Sequence, residues 1–269
     1  MSTTQLFNGL ASDYQAYRPR YAAAALAELE AFAAPLPEGT VLDVGAGTGI
    51  LLRQLCETFG AGLRYVGIEP GRDMIAKARQ ATAAHLPVAF VEAPAESVPL
   101  ESGSAALLAT AQALHWFDRP RFYAEAARLL APGGTCAVLY NQRDTADAFN
   151  AAYEDFTAPF NARSEDEATG SEKRGGLGIV LLRDGTFRPE IAARFGAALE
   201  FHHPWRRRMT DEEVVGQARS TVQMRNVVRA LGETEAMQRL RDMIARHTKG
   251  AGEFEVPYVT SLIAAKRRV

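Results

Sequence analysis

The stretch Val41-Leu42-Asp43-Val44-Gly45-Ala46-Gly47-Thr48-Gly49 decides how the rest of the chain is read. Val41, Leu42 and Val44 are strand formers, and Val41 and Leu42 are adjacent, so the run does not alternate between a wet and a dry face. That pattern fits a strand buried on both faces, as in a parallel sheet. Gly45, Gly47 and Gly49 follow at alternate positions, where the backbone can turn sharply and a ligand can approach it. Ile50, Leu51, Leu55 and Cys56 then give a helical pattern, with Arg53, Gln54 and Glu57 around them. A buried strand, a glycine turn and a helix N-terminus together make a nucleotide-type ligand site.

Asp43 narrows the ligand. A pyrophosphate pocket would not hold a carboxylate so close, because like charges repel. A ligand with a cationic amino group and a cationic sulfonium would favour it. A second apolar strand, 63–68, ends in Glu69-Pro70-Gly71. Glu69 lies about twenty residues past the glycine loop at the tip of the neighbouring strand, where a carboxylate accepts both ribose hydroxyls of a nucleoside.

The composition sets bounds. The chain has 269 residues, 47% hydrophobic and 23% charged, which fits one α/β domain with an insertion. A net charge of −2 gives no general nucleic-acid surface. Cys56 and Cys136 sit in apolar settings and read as small core residues of a reducing compartment. No apolar run approaches the ~18 residues of a membrane span, and the first twenty residues lack a signal-peptide core. The expectation is a cytoplasmic protein with no membrane or nucleic-acid partner, and no residues are spaced as metal ligands.

Further along, a third strand at 88–91 runs into Ala93-Pro94-Ala95-Glu96-Ser97-Val98-Pro99. A fourth at about 104–110 leads to Gln112-Ala113-Leu114-His115-Trp116-Phe117-Asp118. After a helix at about 120–130, Ala131-Pro132-Gly133-Gly134 reads as a turn before a fifth strand at 135–140, with Asn141, Gln142 and Arg143 at its tip. Helices are expected at about 21–34, 49–58, 72–83 and 148–160, with Met74 on the apolar side of the third. Residues 161–178 are polar and glycine-rich, the composition of a mobile loop. A strand returns at 196–204. Thr210 then N-caps a helix running towards Met224, another covers 233–247, and 257–266 is the last strand. His202 and His203 are adjacent, so on a strand they face opposite sides and are no metal pair.

These motifs resemble the class I S-adenosylmethionine (SAM)-dependent methyltransferases, in particular the small-molecule type 11-like family. The D-x-G-x-G-x-G run, the A-E-x-x-P segment, the Q-x-x-H-W-F/D stretch and L-x-P-G-G carry the resemblance, tightly over 41–134 and loosely elsewhere. It implies an α/β fold: a Rossmann-like doubly wound sheet of seven strands, mostly parallel with the last antiparallel, and a helical insertion after the fifth strand. It implies one domain over 1–269, with an N-terminal lid and helix at 1–35, a SAM-binding core at 36–145, and substrate-side helical insertions at 146–195 and 209–250. The implied function is in-line transfer of the SAM methyl group to a small-molecule acceptor at oxygen, nitrogen or carbon, a carboxylate among them, releasing S-adenosylhomocysteine. A SAM-binding regulator without catalysis, or a cyclopropane-type transferase on the same fold, are the rivals.

Residue by residue, the resemblance and the spacing together assign SAM to Tyr14, Arg18, Asp43, Gly45, Ala46, Gly47, Gly49, Glu69, Pro70, Met74, Ala95, Glu96 and Gln112. Many relatives have an acid at the place of Pro94, so Glu96 is the acid that remains in that segment. Tyr17, Trp116, Asn141 and Arg143 are expected on the acceptor side, and His115 is the candidate general base. The Y-x-x-Y-R-P segment at 14–19 resembles one that covers the cofactor in related enzymes. The protein is expected as a monomer or homodimer.

Overall fold

The computed structural model describes residues 11–161, 177–248 and 251–268. Most of the glycine-rich stretch 161–178, read above as mobile, lies outside them. The described residues sort into two compact units. One holds residues 20–141, 178–203 and 260–268; the other holds 11–19, 142–161, 177, 204–248 and 251–259. We call them the sheet unit and the helical unit.

Seven strands form one sheet: β1 Thr40–Val44, β2 Arg64–Ile68, β3 Val88–Val91, β4 Ala105–Ala111, β5 Leu130–Arg143, β6 Ala198–Thr210 and β7 Glu253–Lys266. Their order is β3-β2-β1-β4-β5-β7-β6. The pairs β1–β2, β1–β4, β2–β3 and β4–β5 are parallel. The last strand is antiparallel, since Gly133 bonds Arg267 whereas Asp144 bonds Pro257. The strand order reverses between β1 and β4, which puts a crevice at their carboxyl ends, where open α/β sheets hold ligands.

Every residue of β1 and β4 is buried, as the continuous apolar runs require. Leu42 and Val44 face one core with Leu108, Val138 and Tyr140. Val41 faces the other with Leu107, Ala109 and Leu139. This second face is covered by α2 Ala23–Ala33 and α3 Ile50–Phe59 through Leu26, Leu29, Leu51, Leu52 and Leu55. The remaining helices of the sheet unit are α4 Arg72–Ala81, α5 Arg119–Leu129, α7 Leu177–Arg183 and α8 Phe187–Phe195. Phe187, Ile191 and Phe195 join the core that holds Tyr140. The stretch 146–195 thus contributes to both units.

β5 begins earlier than its sequence suggests. Pro132-Gly133-Gly134 lies inside the strand, with Gly133 at φ 76 and a register shift opposite Ala105 and Leu107, so the glycines make a bulge where a turn was expected. β6 likewise runs on to Thr210 and takes Trp205-Arg206-Arg207-Arg208 with it. Those arginines pair with Glu255, Glu213 and Glu253 respectively, which removes the basic character of the cluster.

The helical unit contains α1 Ala11–Tyr17, α6 Ala148–Asn161, α9 Asp211–Arg219, α10 Val222–Leu231 and α11 Glu233–Thr248. Its core joins Phe149, Tyr153, Val214, Met224, Leu240 and Ile244. Thr210 and Glu213 form a complete capping box at the start of α9. The expected helix through Met224 is two helices. Ser220 donates back to the Gln217 carbonyl, and the Thr221 hydroxyl accepts from the Met224 N–H, opening α10 with its own cap.

Candidate ligand site at the carboxyl ends of the strands

The glycine loop leaves β1 with three left-handed residues, Gly45 at φ 75, Gly47 at 54 and Gly49 at 75. Space also forbids a side chain at Gly45: a Cβ there would stand 2.7 Å from that of Ala113 and 3.0 Å from the Phe117 ring. The Gly45 and Ala46 N–H groups both donate to the Ile68 carbonyl, so the loop is laced to the end of β2. Phe90 on β3 fills the room that Gly67 leaves, where a Cβ would meet its ring at 2.7 Å.

Asp43 lies inside this construction, 1% exposed, on the sheet face that α3 covers. Neither carboxylate oxygen has a hydrogen-bond partner of ordinary geometry. Burial pushes its pKa from 3.8 up to about 7, pulled partly back by the Leu52 amide in the first turn of α3; Glu69 pushes it up further and Arg53 pulls it down. A carboxylate buried this deeply is costly to keep ionised. Arg53, next along α3, donates to the Thr48 carbonyl at 2.8 Å.

Glu69 ends β2 and holds the loop. Its Oε2 accepts from the Gly47 N–H at 2.9 Å and its Oε1 from the Gly71 N–H at 2.8 Å. Burial raises its pKa, and these two amide bonds counter the rise. Pro70 beside it is exposed, and Met74 on α4 is buried against Gly71. Ala95 is buried after β3. Glu96 accepts from the Asp118 N–H at 2.7 Å, and Asp118 in turn caps α5. The segment from Ala95 is also held at Val98, whose N–H donates to Glu125.

At the end of β4, Gln112 has φ 54, the one described non-glycine residue with positive φ. Its N–H donates to Leu139 and its Nε2 to the Asn141 carbonyl at 2.7 Å, tying β4 to β5. Backbone strain of this kind concentrates at ligand sites. A single turn of 3₁₀ helix, Leu114–Trp116, follows. His115 is buried with Nδ1 2.9 Å from the Tyr140 hydroxyl and stands 4.8 Å from the Trp116 ring. Asn141 is buried, accepts from Thr260 and donates to the Arg20 carbonyl.

The structure therefore brings Asp43, the glycine loop, Glu69, Gln112 and His115 to the carboxyl ends of β1, β2 and β4. The helical unit holds four further expected site residues, Tyr14, Tyr17, Arg18 and Arg143. Arg143 donates to Asn150 and Gln217 and lies over the Tyr153 ring at 4.4 Å. Arg18 donates to the Ser220 carbonyl at 3.0 Å and lies over the Tyr14 ring. Tyr17 packs on Gly216, where a Cβ would be 2.5 Å from its ring, and Arg207 donates to the Tyr17 carbonyl. The Tyr17 ring thus packs on α9 within its own unit.

Sequence reasoning missed Tyr140, Phe90 and Phe117. Tyr140 precedes Asn141 in the fifth strand, and strand parity alone marks it as inward-facing. Nothing in the sequence pairs it with His115.

Known proteins share parts of this sequence and its fold. Residues 42–138 match a family described as a methyltransferase domain. An uncharacterized methyltransferase of Mycobacterium tuberculosis is 37% identical over 140 residues, 51% of this chain and 53% of its own. The malonyl-[acyl-carrier protein] O-methyltransferase of Hahella chejuensis is 36% identical over 106 residues, 38% of this chain and 37% of its own. The chain thus spans about half the length, or less, of these relatives. A solved structure described as a candidate type II methyltransferase from Anaeromyxobacter dehalogenans shares the fold. It superposes with a TM-score of 0.65 at 22% identity, over 94% of this chain and 98% of its own.

Proposed function

We propose that the chain is a class I SAM-dependent methyltransferase and that it transfers the methyl group of SAM to a small-molecule acceptor, a reading supported by the match of residues 42–138 to a methyltransferase domain and by methyltransferase relatives. The observation that carries the proposal is the Asp43 carboxylate, buried beside a glycine loop with desolvation pushing its pKa up to about 7. A ligand that brings its own positive charge removes the cost of ionising it. A dinucleotide pyrophosphate would raise that cost. The donor set fits SAM in this respect.

When bound, the cofactor supplies a methyl group activated by the sulfonium that carries it. The residues of the chain do the rest. Asp43 offers a full negative charge to the cationic amino-acid end of the ligand. Gly45, Ala46, Gly47 and Gly49 leave main chain bare enough for close approach. Glu69 uses two of its roughly four lone-pair positions on loop amides and keeps the others for ribose hydroxyls. Pro70, Met74, Ala95, Glu96 and Gln112 border the nucleoside, and His115 and Trp116 border the acceptor. Alignment of nucleophile, methyl carbon and leaving group can supply roughly 7–11 kcal/mol of the barrier without covalent chemistry from the protein. The name of the Hahella chejuensis relative, an O-methyltransferase, supports an oxygen acceptor over the stretch that aligns.

The test is a pair of measurements on the purified chain. S-Adenosylhomocysteine should bind in a one-to-one ratio and NAD should not. Label from methyl-labelled SAM should then pass to at least one member of a panel of small carboxylic acids, amines and phenols. Binding of NAD and no binding of S-adenosylhomocysteine would end this reading.

A further inference from the structure

Arg143 ends β5 inside a cluster of rings in the helical unit. Its Cζ lies 4.4 Å from the centroid of the Tyr153 ring and 5.7 Å from those of Phe149 and Tyr258, and Trp205 stacks on Tyr258 with centroids 5.1 Å apart. Two buried amides orient the guanidinium: Nη1 donates to Asn150 Oδ1 at 3.0 Å and Nη2 to Gln217 Oε1 at 3.2 Å. Those amides are themselves anchored. Asn150 Nδ2 donates to the Asp144 and Pro257 carbonyls, and Gln217 Oε1 also accepts from the Tyr258 hydroxyl at 2.8 Å.

The groups that orient this cation do not neutralise it. Amide oxygens and ring faces carry no net charge, and no carboxylate among the described residues pairs with Arg143. By contrast, Arg206, Arg207 and Arg208 each have a glutamate. The acids nearest Arg143 in sequence are engaged elsewhere: Asp144 accepts from the Ala146 N–H and Asp147 from the Asn150 N–H. Donors are in surplus as well. Arg143 uses two of its five N–H groups, which leaves three. The Tyr153 hydroxyl and the Trp205 indole N–H are buried with no partner among the described residues. Buried donors left unmet cost stability, so the cluster favours a group that is anionic and only accepts. A carboxylate has two oxygens with about four lone-pair sites. A phosphate monoester has three terminal oxygens and up to two charges, which answers this surplus better.

We infer that Arg143, Tyr153 and Trp205 form a binding site for the phosphate group of a phosphorylated small molecule. Arg143 supplies the charge and a planar fork suited to phosphate oxygens. The Tyr153 O–H and the Trp205 N–H donate to the oxygens that remain. Asn150 and Gln217 are positioning residues that hold the fork. As a reading of Arg143 on the acceptor side, the inference rests on the function proposed above and gives the acceptor a chemical class. As a binding site it lies wholly within the helical unit and is tested without SAM, so the two can fail separately.

The test uses the full chain labelled with ¹⁵N-tryptophan and titrated with inorganic phosphate at constant ionic strength, at about pH 7.5 where the dianion prevails. The sequence has two tryptophans, and the indole signal missing from Trp205→Phe belongs to Trp205. That signal should move saturably as phosphate is added. Acetate or chloride at the same ionic strength should leave it in place. Arg143→Gln should abolish the response. Tyr153→Phe keeps the ring and removes one donor, so it should weaken phosphate binding by roughly threefold or more. No saturable shift in the wild type, or an undiminished response in either variant, overturns the site. An equal response to acetate overturns the assignment to phosphate. If Arg143→Gln does not fold, the response of Tyr153→Phe decides alone. Failure to bind S-adenosylhomocysteine in calorimetry would count against the methyltransferase reading and would leave the phosphate site standing.

Discussion

Glu69 at the tip of β2 accepts the Gly47 backbone N–H at 2.9 Å, so a single carboxylate clamps the glycine loop of β1 to its neighbouring strand. The same group is the proposed ribose acceptor. Glu69→Ala should therefore weaken S-adenosylhomocysteine binding by roughly 1–3 kcal/mol, about 5- to 150-fold in dissociation constant. It should also lower the melting temperature of the ligand-free protein, because the Gly47 and Gly71 amides lose their acceptor. Calorimetry and a thermal melt check the two effects, and an unchanged dissociation constant would reduce Glu69 to a loop clamp.

Asp43 makes stability depend on pH in a direction unusual for an acid. Its pKa in the folded chain is raised to about 7 from 3.8, so between those values the folded state binds more protons than the unfolded state. Stability then falls as pH rises from about 4 to 7 and levels off above, by up to about 4 kcal/mol from this one group. Asp43→Asn should flatten that slope and make the ligand-free protein more stable than wild type at pH 8, with little change at pH 4. Urea unfolding across this range checks it, and a slope unchanged in Asp43→Asn would mean that another group carries it.

Gly45→Ala joins two costs. The residue sits at φ 75, and the added methyl would press on the Ala113 Cβ at 2.7 Å. We expect a loss of about 2–4 kcal/mol in urea unfolding, from left-handed strain of about 1–2 kcal/mol and crowding of similar size. Gly60→Ala is the control: its φ is 84, but nothing lies within 4 Å of the new methyl, so only the strain should appear.

Much of this site is legible in the sequence because it rests on local rules. An apolar run buried on both faces, glycines at alternate positions and an acid at the end of the next strand are each set within a few residues. Loop chemistry is weaker evidence: Gly133-Gly134 is equally good as a turn and as a bulge, and only pairing with β4 and β7 decides for the bulge. Helix breaks at small polar residues are also faint, since Ser220 and Thr221 fit a helix interior until Thr221 is seen to cap Met224. Contacts between distant residues are invisible in a single chain. Phe90 against Gly67, and Tyr140 against His115, arise where strands come side by side, and neither residue advertises its partner.

Arg143 should matter for stability through its planar fork. It donates to Asn150 at 3.0 Å and Gln217 at 3.2 Å and lies over Tyr153. Lysine keeps the charge but not this geometry. Arg143→Lys should cost about 1–2 kcal/mol in urea unfolding, and Trp205, stacked on Tyr258 in the same unit, gives a fluorescence signal to follow it. Equal stability of the two proteins would leave Arg143 with no structural role.

The most direct test of the ligand assignment is calorimetry of S-adenosylhomocysteine binding to the wild type and to Asp43→Asn, in two buffers of different ionisation enthalpy, between about pH 6 and pH 8. If the ligand's ammonium is received by the Asp43 carboxylate, binding must ionise that group. The wild type should bind one ligand and release close to one proton near pH 6, with the release fading towards pH 8 as Asp43 is already ionised. Asp43→Asn should bind at least tenfold more weakly and release no proton at either end of the range. Equal affinity and equal proton release in the two proteins would contradict the claim that Asp43 is the group that recognises the ligand.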